Sequence, residues 1–484
     1  MIFGLRGGIL CGIFALSEAN LSTTASASSL VPCEPGGVLP LFQRLLTIGR
    51  VSELVAATGQ RFYQRLFTPL VTLWGFIYQR LNPDHTCDAA VSYFASGAAD
   101  GLCPHLSERL SDNTAGYCKA RARLPLGIIQ GALRHAAQVI QAEAGAAGLW
   151  HGRRVNLLDG STLQLAAEPE VVEHYGRPQN QHGAAHWPLL RTVVGFDLWS
   201  GAVVGVAEGP YAESEQSLAA TLLNEAEPGT LWVGDRNFGM YRLFQVATGR
   251  SVDLLTRLNA RIAHALARHE HSPLRPGDDL LIEWRPSPET SVEPGWPVAP
   301  IAGRLIYVRL ERPGFRPCDL YLFTTLTDQT LYPLIELVQL YARRWDVELD
   351  LRHVKTTLDM DILTGKSVDM VRKELWAGLL AYNLIRGLMG RAAQRANVTP
   401  GVLSFARCGR RIVDTLRTLS PHLTRKAVAV ILERLLKRLG QCRLPKRPKF
   451  RIEPRAVWGQ PQPYPRIKGS RAEARRAALT KMKS

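Results

Sequence analysis

The spacing of apolar positions along this chain shifts from helical to alternating and back again. Residues 40–150 read as helices. Thr68-Pro69 is an N-cap followed by a first-turn proline, and it opens the run from Leu70 to Tyr78. Pro125 predicts a further helix through about Glu143. Strand-like segments follow. Arg154–Leu158 is an apolar run ending at Asp159-Gly160-Ser161-Thr162, where Asp-Gly marks a turn. Two strands over 189–199 and 202–208 join at Ser200-Gly201. A helix over 214–225, a short buried strand over 230–234, another helix and a strand over 252–256 come next. Strand-like pieces at 280–285, 304–311 and 319–326 lie in a Pro- and Gly-rich stretch, about 265–328. Leu340, Val347, Leu351, Val354 and Leu358 then share one sector of an amphipathic helix. Residues 366–440 read as helices, with Val428, Ile431, Leu432, Leu435 and Leu439 on one face.

Charge narrows the class of partner. The net charge is +17 and the isoelectric point near 9.8, an electrostatic footprint of nucleic-acid binding. The excess is concentrated in residues 441–484, where thirteen Lys/Arg against two Glu give 13 − 2 = +11. That segment reads as a basic tail gripping phosphates without reading sequence. The eight cysteines form no Cys-x-x-Cys pair and no zinc spacing, so reduced thiols are expected. Residues 1–39 hold an apolar run, Ile2–Leu16, with Arg6 inside it. The run is too short to span a bilayer, and this segment reads as a disordered extension. No membrane partner is expected.

The chemistry concentrates in Tyr341-Ala-Arg-Arg344-Trp-Asp-Val-Glu348, continuing to Lys355. At about 100° per residue, Tyr341, Arg344, Glu348 and Lys355 fall in one narrow helical stripe. Taken alone, such a stripe is more often a solvated face carrying an i,i+4 ion pair. Two upstream aspartates change that weighting. Asp159 and Asp235 each follow a strand-like run, and Asp235 opens Asp-Arg236-Asn-Phe-Gly. Three hard carboxylates brought to one point would suit Mg²⁺ or Mn²⁺.

In these three motifs and their order, the chain resembles the bacterial insertion-sequence transposases that use an Asp-Asp-Glu triad with a Tyr-Arg-Glu-Lys signature. The likeness covers residues from about 60 to 395. It implies an α/β fold with a ribonuclease-H-like catalytic core over 151–365, carrying a β-rich insertion. An all-α DNA-binding domain (40–150) would precede the core. A C-terminal helical region (366–440), a candidate dimerisation surface, and the basic tail would follow. It implies Asp159, Asp235 and Glu348 as catalytic metal ligands for two Mg²⁺ ions, with Mn²⁺ able to substitute. Tyr341, Arg344, Lys355 and Arg236 would contact DNA at the scissile phosphate, and Lys119, Arg121 and Arg123 would hold transposon-end DNA. It further implies cut-and-paste transposition through a hairpin, a homodimer assembled on DNA, and a cytoplasmic, nucleoid-associated location. The alternatives are a catalytically inactive DNA-binding derivative and a nuclease of the same fold. Trp284 and Trp296 are candidates for stabilising a flipped base, with packing of the insertion's own core as the competing role. His174, His182 and His186 read as loop residues, and Ser161 as a turn residue.

Overall fold

The computed structural model describes residues 41–62, 66–97, 100–103, 105–180, 183–269, 273–286, 298–310, 318–419 and 423–445, with isolated positions between 470 and 480. The expected N-terminal extension, most of the basic tail, His182 and Trp296 lie outside these residues.

Six helices come first: α1 (Ile48–Ala57), α2 (Pro69–Leu81), α3 (Cys87–Ala95), α4 (Leu106–Arg109), α5 (Ala115–Arg123) and α6 (Leu126–Ala144). The Thr68 hydroxyl accepts from Val71 N, as its place before Pro69 predicts. The chain then enters a sheet through β1 (Leu149–Trp150) and the 13-residue β2 (Arg153–Leu165). After α7 (Pro169–Tyr175) and the short pair β3 (Gln179–Asn180) and β4 (Gly183–Ala184), β5 (Leu189–Asp197) and β6 (Val203–Pro210) form the expected hairpin. Gly201 takes a φ of 68° at its turn, while Asp197 accepts from Ser200. Next come α8 (Glu215–Asn224), β7 (Leu231–Gly234), α9 (Tyr241–Gly249), β8 (Asp253–Arg257) and α10 (Ala260–His269). Three strands follow, β9 (Asp279–Trp284), β10 (Ile301–Leu310) and β11 (Cys318–Thr324).

The strand order is β6-β5-β2-β7-β8-β11-β10-β9. β5 and β6 run antiparallel to β2 in a meander, whereas β7 and β8 run parallel to β2 on its other side. β7 is buried at every position, as a parallel strand covered on both faces requires. The β-rich stretch is continuous with this sheet: β11 pairs with β8, and β10 and β9 extend the edge. Trp284 packs edge-on against Phe323, with centroids 5.0 Å apart, inside the core beneath those strands.

Past the sheet lie α11 (Leu334–Ala342), a 3-10 turn at Arg343–Trp345, α12 (Asp346–Arg352), a π turn at His353–Thr357, β12 (Ile362–Leu363), α13 (Val368–Arg395), α14 (Phe405–Thr418) and α15 (Arg425–Gly440). The sequence predicts one regular helix through 341–355, but the chain changes its winding twice there. α13 is buried along most of its 28 residues. One apolar cluster runs from Leu41 through α1–α6 and one sheet face to this helix, so α13 is core to both regions. Its polar groups are fastened. Asn383 holds both backbone groups of Val203, at 2.7 and 2.8 Å. Glu374 pairs with Arg80 at 2.8 Å and accepts from the amides of Thr364 and Gly365. Arg386 pairs with Asp350 of α12 and donates to Tyr382 Oη, 2.7 Å away. Among the described residues no helix is long and apolar enough to cross a membrane.

Candidate active site

Strand register sets the site. Leu158 of β2 lies opposite Gly234 of the parallel strand β7, so Asp159 and Asp235 follow at one level on neighbouring strands. β7 ends there, but β2 continues through Asp159-Gly160 to Leu165, paired with β5. The Asp-Gly pair expected to turn is therefore mid-strand. Asp159 Oδ1 accepts from the amide of Gly160 at 2.9 Å. Asp235 Oδ1 accepts from the amide of Asn237 at 2.7 Å, capping the turn Arg236–Phe238.

The segment after α11 lies over this strand end. Arg344 is buried, its guanidinium 4.5 Å over the Trp345 ring and 3.4 Å from Glu348 Oε1. Burial pushes the Asp159 carboxyl up to about 7. Arg344 opposes this, while the negative fields of Asp235 and Glu348 add to it. The three carboxylates thus lie within electrostatic reach, with a cationic guanidinium among them. Burial also pushes the Tyr341 phenol up to about 12, against the pull of Arg344 and Arg257. Arg257, at the end of β8, is a cation the sequence did not single out; its Nε is buried without a hydrogen-bond partner. A lone arginine after a strand carries no motif that could have flagged it.

Other expected site residues take different positions. Lys355 sits in the π turn, where its ammonium reaches Thr162 O at 3.1 Å and Asp361 at 3.0 Å. It thus reaches β2, but through protein partners. Arg236 is exposed beside Asp235. Lys119 and Arg123 are exposed on α5, but Arg121 turns inward. Its guanidinium lies 4.4 Å over the Phe76 ring and contacts Cys87 and Met370 sulfur.

Among the described residues, no three His, Cys, Asp or Glu side chains lie close enough to hold a metal ion as they stand. The donor chemistry nevertheless suits a hard dication, since positive charge would offset the burial and, after it, the negative fields of Asp235 and Glu348 that push the Asp159 carboxyl up to about 7.

Comparison with known proteins decides the family. The chain matches the family described as Transposase DDE domain over residues 150–384. It is 31% identical over 336 residues to the transposase InsG of insertion sequence element IS4 from Escherichia coli K12, covering 65% of this chain and 70% of that one. The chain belongs to the DDE transposases. It is an enzyme of insertion-sequence DNA transposition. Lesser likenesses are to the putative transposase InsZ of the same organism, 26% identical over 144 residues and 44% of its length, and to putative transposase y4zB of Sinorhizobium fredii, 23% identical over 179 residues and 47% of its length. Among solved structures, a piggyBac transposase synaptic complex with hairpin DNA aligns with 83% of this chain and 85% of its own, at TM-score 0.39 and 10% identity.

Proposed function

We propose that Asp159, Asp235 and Glu348 form the cutting site of this transposase, on a core of ribonuclease-H-like topology. The observation that carries the reading is the β2–β7 register, which sets the two aspartates level beneath the glutamate-bearing helix. The meander β2-β5-β6 with parallel β7 and β8 beyond it supports the topology.

In this reading the three carboxylates hold two Mg²⁺ ions, for which Mn²⁺ can substitute. When bound, these supply charge neutralisation and polarisation at the scissile phosphodiester. Arg344 and Arg257 face the phosphate, with Arg344 held rigid by burial and by Trp345 stacking. Tyr341 stays a neutral phenol at physiological pH, so it donates a hydrogen bond rather than repelling DNA. Water first opens the end phosphodiester and leaves a 3′-hydroxyl. That hydroxyl attacks the opposite strand to give a hairpin, and after hairpin opening it attacks the target. Exposed Lys119, Arg123 and Arg236 contact the DNA backbone, and two copies assemble on paired ends.

The test is cleavage of a duplex carrying the element's own terminal repeats, with Mg²⁺. The wild type should nick the end and give a hairpin. Asp159→Asn, Asp235→Asn and Glu348→Gln should bind the end and leave it uncut. A wild type that binds without cutting in Mg²⁺ or Mn²⁺ would instead support the inactive DNA-binding reading.

A further inference from the structure

A fourth carboxylate stands beside the aspartate pair. Glu215 is the first residue of α8, behind the N-cap Ser214. Side chains alternate along β2, so Asp159 faces one side of the sheet and Gly160 the other, where α8 packs. A Cβ on Gly160 would lie 2.5 Å from Glu215 Cδ and 2.7 and 2.9 Å from its two oxygens. A side chain at position 160 would therefore require the Glu215 carboxylate to move from where it stands. Glu215 Oε2 accepts from Asn237 Nδ2 at 2.7 Å. Gln216 Nε2 grips Asn237 Oδ1 from the same turn, at 2.5 Å. The Asn237 amide in turn donates to Asp235 Oδ1. One carboxylate thus lies beside the strand next to Asp159 and holds the side chain of the asparagine whose backbone amide donates to Asp235.

We propose that Glu215 is a positioning residue: with Gly160 and Asn237 it forms a clamp behind the sheet that fixes Asp235 relative to Asp159. It acts as a hydrogen-bond acceptor and does not touch DNA. This inference rests on the site reading above and deepens it. The asparagine's two side-chain ends are held by neighbouring residues of one helical turn, Glu215 and Gln216. Rotation of the Asp235 loop therefore requires breaking both. A side chain at Gly160 would displace the Glu215 carboxylate and with it the contact to Asn237. The two positions should act as a unit, since each disturbs the same contact.

The experiment uses the full chain and two readouts, end cleavage with Mg²⁺ and binding of Mn²⁺ alone followed by its electron paramagnetic resonance. Glu215→Ala, Asn237→Ala and Gly160→Ala should each lower cleavage and Mn²⁺ affinity by about 10–100-fold, the usual cost of losing an outer partner of a ligand. Affinity for the end duplex and the melting temperature should stay near the wild type. Glu215→Gln keeps an oxygen for Asn237 and should recover both readouts to within about threefold of wild type. The double variant Gly160→Ala with Glu215→Ala should be no worse than Glu215→Ala alone. If Glu215→Gln is as damaged as Glu215→Ala, the glutamate acts by charge and the clamp is wrong. It is equally wrong if Glu215→Ala cuts and binds Mn²⁺ normally. Should Gly160→Ala fail to fold, Asn237→Ala, at an exposed position, tests the same contact. A wild type that binds Mn²⁺ but does not cut would sink the cutting site and leave the clamp to be judged on Mn²⁺ affinity. One that does neither would overturn both.

Discussion

Asp159 is an acid placed where ionisation is costly. Its carboxyl titrates at 3.8 in an ordinary setting and at about 7 in the fold. Between those values the folded chain keeps a proton that the unfolded chain has lost. Stability therefore falls as pH rises through that window and stays lowered above about 7. Asp159→Asn has no charge to bury. In EDTA at pH 8 it should melt above the wild type by about 5 °C, and at pH 4 the two should nearly coincide. Thermal melts at the two pH values check this; an equal difference at both would remove the electrostatic cause. The three carboxylates of the proposed site could be singled out in the sequence because each sits in a local motif, and a motif survives without coordinates. Glu215 and Arg257 could not, because an acid opening a helix and a cation ending a strand are ordinary placements. Only the fold brings Glu215 against Gly160. The glycine itself is plain in the sequence, but its neighbour is not. Asp-Gly usually signals a turn, and here it lies within a strand.

At the scale of elements, the glutamate-bearing segment is secured from behind. Asp350, two residues after Glu348, pairs with buried Arg386, and Tyr382 Oη bridges them by donating to Asp350 Oδ1 or to Gly201 O. The His353 ring stacks on Phe405, with centroids 4.8 Å apart. Removing one member of a buried pair strands the other charge. Arg386→Ala should lower unfolding stability by about 3–5 kcal/mol, read from the denaturant midpoint. A loss below about 1 kcal/mol would mean that water reaches Asp350. The amphipathic pattern over 340–358 predicted a helix, and helical chain is present. Its breaks at Arg343–Trp345 and His353–Thr357 were not legible, because apolar spacing averages over such turns. The cap at Thr68 fared better, its hydroxyl accepting from Val71 N as its place before Pro69 predicts, while Ser214 caps α8 although the sequence reading marks only the helix there. The strands of the β-rich stretch were also read from their spacing. Their joining onto β8 depends on pairing between residues 65 or more positions apart, which no local pattern encodes.

At the scale of the molecule, charge is set at the C-terminal end. α14 and α15 expose Arg407, Arg410, Arg417, Arg434, Lys437 and Arg438. Arg411 Nη1 donates to Arg438 O, so the two helices share this cationic edge. A two-fold dimer through that edge would set like charge against like charge, whereas duplex DNA suits it. Binding to random duplex should weaken steeply with salt. Removing residues 447–484, with eleven Lys/Arg and two Glu, should lower the log–log slope by at least about 2 while end cleavage persists. An unchanged slope would exclude the tail from phosphate contact. The cut belongs after Lys446 rather than near residue 440, because Cys442 is buried, its carbonyl accepts from Ser404 N, and Leu444 N donates to Val402 O. The shared helix α13 also governs how the chain is made. A ribosome delivers Asp159 long before Glu348, 348 − 159 = 189 residues later, an interval of about 10–40 s at ordinary elongation rates. α13, which completes both the helical region and the sheet face, emerges later still. A chain terminated between Asp235 and Glu348 therefore carries the aspartate pair with neither the glutamate nor a finished core, and on the site proposed above such a half-made copy should not cut DNA.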